Sequence, residues 1–193
     1  MWPSTRLSHA ERAGAAAWAL VAVLLATSAE PSAAIPVAPA LPPAVKALAP
    51  SLVPQGGGPF TFLGFRVYDG WYWSAAPGFS LDQPLALDLH YRRKLDGHAI
   101  AVRSVDEMTK LGLGTLVQQA RWSNAMRRIF PDVDKGDRLT GISLPSGTVR
   151  FFHNGVPIGD IDDREFARAF FGIWLDPRTS HPDFRKRLLG GTE

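Results

Sequence analysis

The residues most able to do chemistry lie close together in "FTFLGFRVYDGWYW", Phe60 to Trp73. Arg66, Tyr68 and Tyr72 fall at even spacings there, which on an extended strand puts them on one face. A guanidinium offers paired donors to an anion, and two phenols beside it could complete a grip on a carboxylate or phenolate. Arg66 and Tyr68 could equally polarise a carbonyl or stabilise an oxyanion. The competing reading makes Arg66 a strand-edge residue in a surface ion pair with Asp69 or Asp88, since most arginines are exposed. A second cluster, Thr179, Ser180 and His181, sits in "FFGIWLDPRTSHPDFRKRLLG", Phe170 to Gly190. Spacing and caps account for nearly all of that stretch as helix, Asp-Pro break, cap and helix, so only Thr179 or Ser180 is left to touch a ligand at a cleft mouth.

Other chemistries find no support. His90, His98, His153 and His181 lack the spacing and carboxylate companions of a metal site. Asp162, Asp163 and Glu165 read as helix-start charges at the positive end of a dipole. "GLG" at Gly112–Gly114 has neither a preceding strand nor a following Lys-Ser pair, so it is no phosphate loop. The serines have no nucleophile-elbow context. The chain has no cysteine, which excludes disulfides, thiolate metal sites and a cysteine nucleophile. Neither a metal nor a cofactor is expected.

The elements that must position these residues follow from pattern. Residues 60–73 read as one strand, apolar on both faces, with Phe60, Phe62, Arg66, Tyr68 and Tyr72 opposite Leu63, Phe65, Val67, Trp71 and Trp73. "LALDLHYRRKL" alternates, with Leu85, Leu87, Leu89 and Tyr91 facing in and Asp88, His90 and Arg92 facing out. Ser104 with Glu107 resembles a capping box and predicts a helix start there. A further helix runs to Phe130 before Pro131, with Trp122 and Met126 on its apolar stripe. "RLTGISL", "TVRFFH" and "VPIGDI" are strands, the last two joined by Asn154-Gly155, a strong hairpin signal. Pro157 marks the last as an edge strand. Asp162 and Glu165 predict the start of a helix carrying Phe166, Ala169, Phe170, Ile173 and Trp174. Ser180 is the expected cap of a final helix rich in basic residues. The order gives an α+β fold with a mainly antiparallel sheet.

The amino terminus has its own character. Arg6 and Arg12 precede the uncharged run Ala13–Ala29, and small residues at Thr27–Ala29 or Ser32–Ala34 suit signal peptidase. Residues 1–34 are therefore read as a secretory signal peptide, with an uncleaved anchor as the rival, and residues 35–59 as a Pro/Ala/Gly-rich linker. The folded domain is expected at 60–190, in an exported and periplasmic protein. The formal net charge of +3 is too mild to argue for nucleic acid. The membrane would enter only through an uncleaved amino terminus.

"GFRVYDGWYW", "FPDVDKGDRLTGISLPSGTVRFFHNGVPIGDI" and "EFARAFFGIWLDPRTSHPDFRKRLLG", in this order, resemble the bacterial chalcone isomerase-like proteins, relatives of plant chalcone isomerases and fatty-acid-binding proteins. The resemblance implies an open-faced β-sandwich: a large antiparallel sheet, helices packed on one face and a ligand cleft between them. In the plant enzymes an arginine guides a phenolate while tyrosine and threonine hydroxyls hold a water against a carbonyl. In the fatty-acid-binding relatives an arginine and a tyrosine grip a carboxylate. The enzymes' arginine belongs on the strand before Tyr68, where this chain reads "VPQGGGP". Tyr68 stands near the enzymes' threonine, and neither tyrosine nor asparagine occurs between Ile100 and Leu113. The expected function is thus non-catalytic binding of a small amphipathic or aromatic acid, such as a fatty acid, by Arg66, Tyr68, Tyr72, Thr179 and Ser180. The alternatives are an isomerase (an intramolecular lyase) acting on a small enone through Tyr68 and Arg66, and a module that binds a protein partner in the cell envelope.

Overall fold

A computed structural model describes residues 37–191, so the expected leader at 1–34 lies outside the described residues. The chain runs α1 (Pro43–Leu48), β1 (Val53–Phe62), β2 (Phe65–Ser74), β3 (Leu85–Tyr91), α2 (Gly97–Lys110), α3 (Leu116–Ile129), β4 (Arg138–Ser143), β5 (Thr148–His153), β6 (Val156–Asp162), α4 (Arg164–Leu175) and α5 (Pro182–Leu188). The six strands form one antiparallel sheet in sequence order. A meander of this kind needs only local connections, and β6, with its Pro157, lies at an edge as expected. The α+β class and the mainly antiparallel sheet match the reading of the sequence.

The two faces of the sheet bury different sets. Tyr68, Tyr72, Leu85, Leu87, Leu89, Tyr91, Leu139, Val149 and Phe151 share the main core with residues of α2, α3, α4 and α5. The two-face alternation of β3 is realised, but its other face is covered as well, so Asp88, expected to face out, is buried. The opposite face carries Trp71, Trp73, Ala86, Ile142 and Phe152, which pack with Leu41, Val45, Ala49 and Leu52.

That second cluster corrects the linker. Residues 35–59 read as linker because proline and glycine hide any period, yet within them α1 forms and β1 begins at Val53. The glycines of "VPQGGGP" answer to a close approach. A Cβ on Gly56 would lie 2.1 Å from the Arg187 carbonyl oxygen, because α5 crosses directly over β1.

The "single strand" 60–73 is a hairpin. Leu63 (φ 48°) and Gly64 (φ 80°) both adopt positive φ and turn the chain between β1 and β2. Glycine makes that conformation easy, whereas a leucine there is unusual. The register slips between Phe60 and Thr61: Phe60 opposes Tyr68, but Thr61 opposes Arg66. This bulge inserts Val67 and breaks the alternation on which the shared face of Arg66 and Tyr68 depended.

Three helix starts also move. Asp96 caps α2 by accepting a hydrogen bond from the Ala99 amide, leaving Ser104 and Glu107 buried in mid-helix. Asp163, one residue after the expected Asp162, caps α4 through the Glu165 and Phe166 amides. His181, not Ser180, precedes α5 without a side-chain cap. The carboxylate-plus-three spacing is local, and burial decides which instance is a cap.

Candidate ligand-binding site

Between the core face of the sheet and the helices lies a cavity of about 380 Å³, within the range of small-molecule sites. Its walls are overwhelmingly apolar: Leu89, Ile100, Leu139, Phe170 and Ile173 are typical. The residues that line it and remain exposed are Phe62, Leu63, Phe65, Arg93, Ala99 and Arg103. The opening therefore lies between the tip of the β1–β2 hairpin, the segment after β3 and the first half of α2.

A few polar groups converge on this space. Tyr68 and Tyr91 reach it from neighbouring strands, paired in register. The Trp174 indole N–H donates to the Tyr68 hydroxyl at 2.8 Å, which fixes that ring and leaves its proton for an acceptor. Burial pushes both phenols well above their ordinary value, so both are neutral donors at physiological pH. Helix α2 supplies Arg103, Ser104 and Glu107. Arg103 bridges Glu107 at 2.7 Å and lies over the Phe62 ring, 4.8 Å from its centroid.

Glu107 also accepts from Lys110 at 2.9 Å and from the Ser180 hydroxyl at 2.8 Å. Burial alone would raise its carboxyl, but these hydrogen bonds and the charges of Arg103 and Lys110 outweigh it, and Glu107 is held below its ordinary value. His181, whose ring meets Phe60 edge-on at 4.8 Å, is pushed down mainly by desolvation and is neutral near pH 7. The site is an apolar pocket with two phenols and an ionised Arg103–Glu107 pair at its rim.

The residues expected from the sequence divide. Tyr68 lines the cavity. Arg66 does not: it is on the other face, donating to Asp69 at 2.7 Å beside Arg92, which binds the same carboxylate. The ion pair that competed with the functional reading is the one formed, and the Arg66–Tyr68 pair is not assembled. Tyr72 is fully buried and donates to the Gly78 carbonyl at 2.8 Å. Thr179 is buried and donates to the Ile173 carbonyl at 2.6 Å, tying off the end of α4. Ser180 meets the site only through Glu107.

Arg103, Glu107 and His181 were missed as lining groups. The signal was present, since Arg103 and Glu107 stand four apart and flank the buried Ser104, but a capping motif explained the same letters. Among the described residues no cluster of His, Cys, Asp and Glu is arranged to hold a metal. His90 does have a carboxylate companion, Asp88 at 2.9 Å, in a network on the opposite face.

Comparison with known proteins agrees with this architecture. The family model described as chalcone isomerase-like matches residues 81–190. A protein of Haemophilus influenzae described as uncharacterized is 30% identical over 141 residues, covering 72% of this chain and 69% of its own. Among solved structures, a fatty-acid binding protein of Arabidopsis thaliana superposes with a TM-score of 0.60 at 11% identity, over 72% of this chain and 87% of its own. At that identity the likeness is one of fold. The sheet with helices over a cleft and the match across most of the folded residues lead to one conclusion: the chain belongs to the chalcone isomerase-like family.

Proposed function

We propose that this protein binds a small amphipathic acid without transforming it. The apolar part would lie between sheet and helices, and the acid group would sit on the polar lining formed by Arg103 and the Tyr68 and Tyr91 hydroxyls. The observation that carries this reading is the cavity itself, whose apolar lining would cost stability if left to water and which a few polar groups line, the buried Tyr68 and Tyr91 phenols among them. The fold shared with a fatty-acid binding protein supports it. A guanidinium above an aromatic ring is well suited to a carboxylate that must be partly desolvated. The enone reading loses its pair, because Arg66 and Tyr68 are on opposite faces.

Organic extraction of the purified protein followed by mass spectrometry tests the proposal, together with titration by a medium-chain fatty acid. Bound acid, displaced by the titrant, is expected. Ile100→Trp fills the cavity from α2 and should weaken binding by more than about tenfold, a loss of about 1.4 kcal/mol. An empty protein that binds the fatty acid no better than Ile100→Trp does would overturn the reading.

We also propose export, on the strength of the uncharged run Ala13–Ala29 and the small residues after it. Amino-terminal sequencing of protein from the envelope fraction should find a new start after Ala29 or Ala34. An intact Met1 in the cytosol would count against it.

A further inference from the structure

The tip of the β1–β2 hairpin lines the mouth of the cavity and also combines exposed apolar side chains with a strained turn. Leu63 is 80% exposed, Phe65 62% and Phe62 40%. Leu63 occupies a turn position with φ 48°, where asparagine, aspartate or glycine would relieve both strain and exposure. Two costs borne at one surface residue point to something that covers it.

The surroundings say what. Arg92, Arg93 and Lys94 follow β3 directly and are all exposed. They are held against the hairpin, since the Arg92 amide donates to the Val67 carbonyl at 2.9 Å. Arg93 lies over the Phe65 ring at 5.2 Å and Arg103 over Phe62 at 4.8 Å. Val102, beside Arg103 on α2, is exposed as well. From Thr61 to Val67 the only charge is Arg66. The carboxylates on the surrounding elements are Asp69 and Glu107, both buried and already paired with Arg66, Arg92 and Arg103, Asp96 at the α2 cap, Asp106 further along α2, and Asp132, Asp134 and Asp137 on the α3–β4 connection, which pairs with the segment after β3 away from the tip itself. Aromatic and leucine side chains ringed by cations, with no free carboxylate at the tip, match the chemistry of an anionic lipid interface.

We propose that the β1–β2 hairpin tip is a membrane-docking wedge, in which Phe62, Leu63 and Phe65 enter the interface of an anionic bilayer while Arg93, Lys94 and Arg103 meet its headgroups. Docked in this way, the mouth of the cavity faces the lipid, which gives an apolar ligand a route that avoids water. The docking stands on the exposed hairpin tip and the cations around it and does not require that the cavity binds an acid.

The chain has no cysteine, so a single Leu63→Cys can carry an environment-sensitive fluorophore in the full-length protein. Ser146→Cys, in the β4–β5 turn at the far end of the sheet, is the control for any tethering by the amino-terminal segment. With phosphatidylglycerol vesicles the label at position 63 should shift to the blue and the label at position 146 should not. The shift should be absent with phosphatidylcholine vesicles and should fade at high salt. In protein labelled at position 63, replacing Arg93 and Lys94 together by Gln should weaken vesicle affinity about thirtyfold, at about 1 kcal/mol per charge.

No shift at position 63, an equal shift at position 146, or a shift at position 63 that appears without vesicles as protein concentration rises would each overturn the proposal. The last outcome would assign the tip to a second copy of the chain. Ile100→Trp should lose fatty-acid binding yet keep the vesicle response, so failure of either reading is seen separately.

Discussion

At the scale of single residues, polar side chains buried on the two faces of the sheet have opposite meanings. Asp88, with no exposed surface, accepts from Arg138 at 2.7 and 2.6 Å, Thr140 at 2.7 Å and His90 at 2.9 Å. Desolvation alone would raise its pKa, but the hydrogen bonds from His90 and Arg138 and the Arg138 charge prevail and lower it. The native state therefore favours the ionised form. Its contribution to stability is present above the ordinary value of 3.8 and is lost as pH falls through the depressed native value. Asp88→Asn should cost about 3–5 kcal/mol in urea unfolding at pH 7, because Arg138 loses its partner, and should flatten the acid limb of the stability profile. Tyr68 is different, since its hydroxyl sits at the cavity. Tyr68→Phe leaves the Trp174 N–H without its acceptor and should cost about 1–3 kcal/mol, measured by the same unfolding. It should also weaken fatty-acid binding, which a purely structural hydroxyl would not.

At the scale of elements, the decisive contacts are those between segments distant in sequence. Helix α5 lies so close over β1 that Gly56 cannot carry a side chain without moving the Arg187 carbonyl. Gly56→Ala should destabilise by about 1–3 kcal/mol or more, as overpacking does, and should loosen the carboxyl-terminal helix first, visible as faster amide exchange across residues 182–190. Much of the element order was legible: the three strands 138–161, the Asn154-Gly155 turn, the apolar face of α4 and the inward set of β3 are all periodic or carry turn chemistry. The hairpin at Leu63-Gly64 was not, because leucine is a poor announcement of a positive-φ turn. The cap at Asp96 was eclipsed by a stronger-looking motif at Ser104 and Glu107.

At the scale of the whole molecule, the main core of the described residues, between sheet and helices, has a packed end and an end with space. Phe151 meets Phe166 and Phe170 edge-on beneath β4 and β5, at 6.3 and 5.2 Å between ring centroids, while Phe166 and Phe170 stack on each other at 5.4 Å. The Tyr68–Tyr91 end is instead hollowed into the cavity. A ligand that enters only the native state raises its stability by mass action, about 2.7 kcal/mol at a hundred times its Kd. Saturating fatty acid should therefore raise the thermal midpoint of the native chain and leave that of Ile100→Trp almost unmoved, as read by calorimetry.

Local pattern determined a good deal about this protein. Alternation, caps and turns required an α+β chain with an antiparallel sheet, and the ordered segments pointed to the chalcone isomerase-like family. Tertiary structure alone decided the site. Period-two reasoning put Arg66 beside Tyr68, and one inserted residue, Val67, sent them to opposite faces. It also decided that Gly56 belongs to a strand and that Glu107 is a buried rim carboxylate. The physical reason is common to all three. Which face a side chain takes, and what meets it there, depend on register and on the close approach of distant segments, and neither leaves a periodic mark in the sequence.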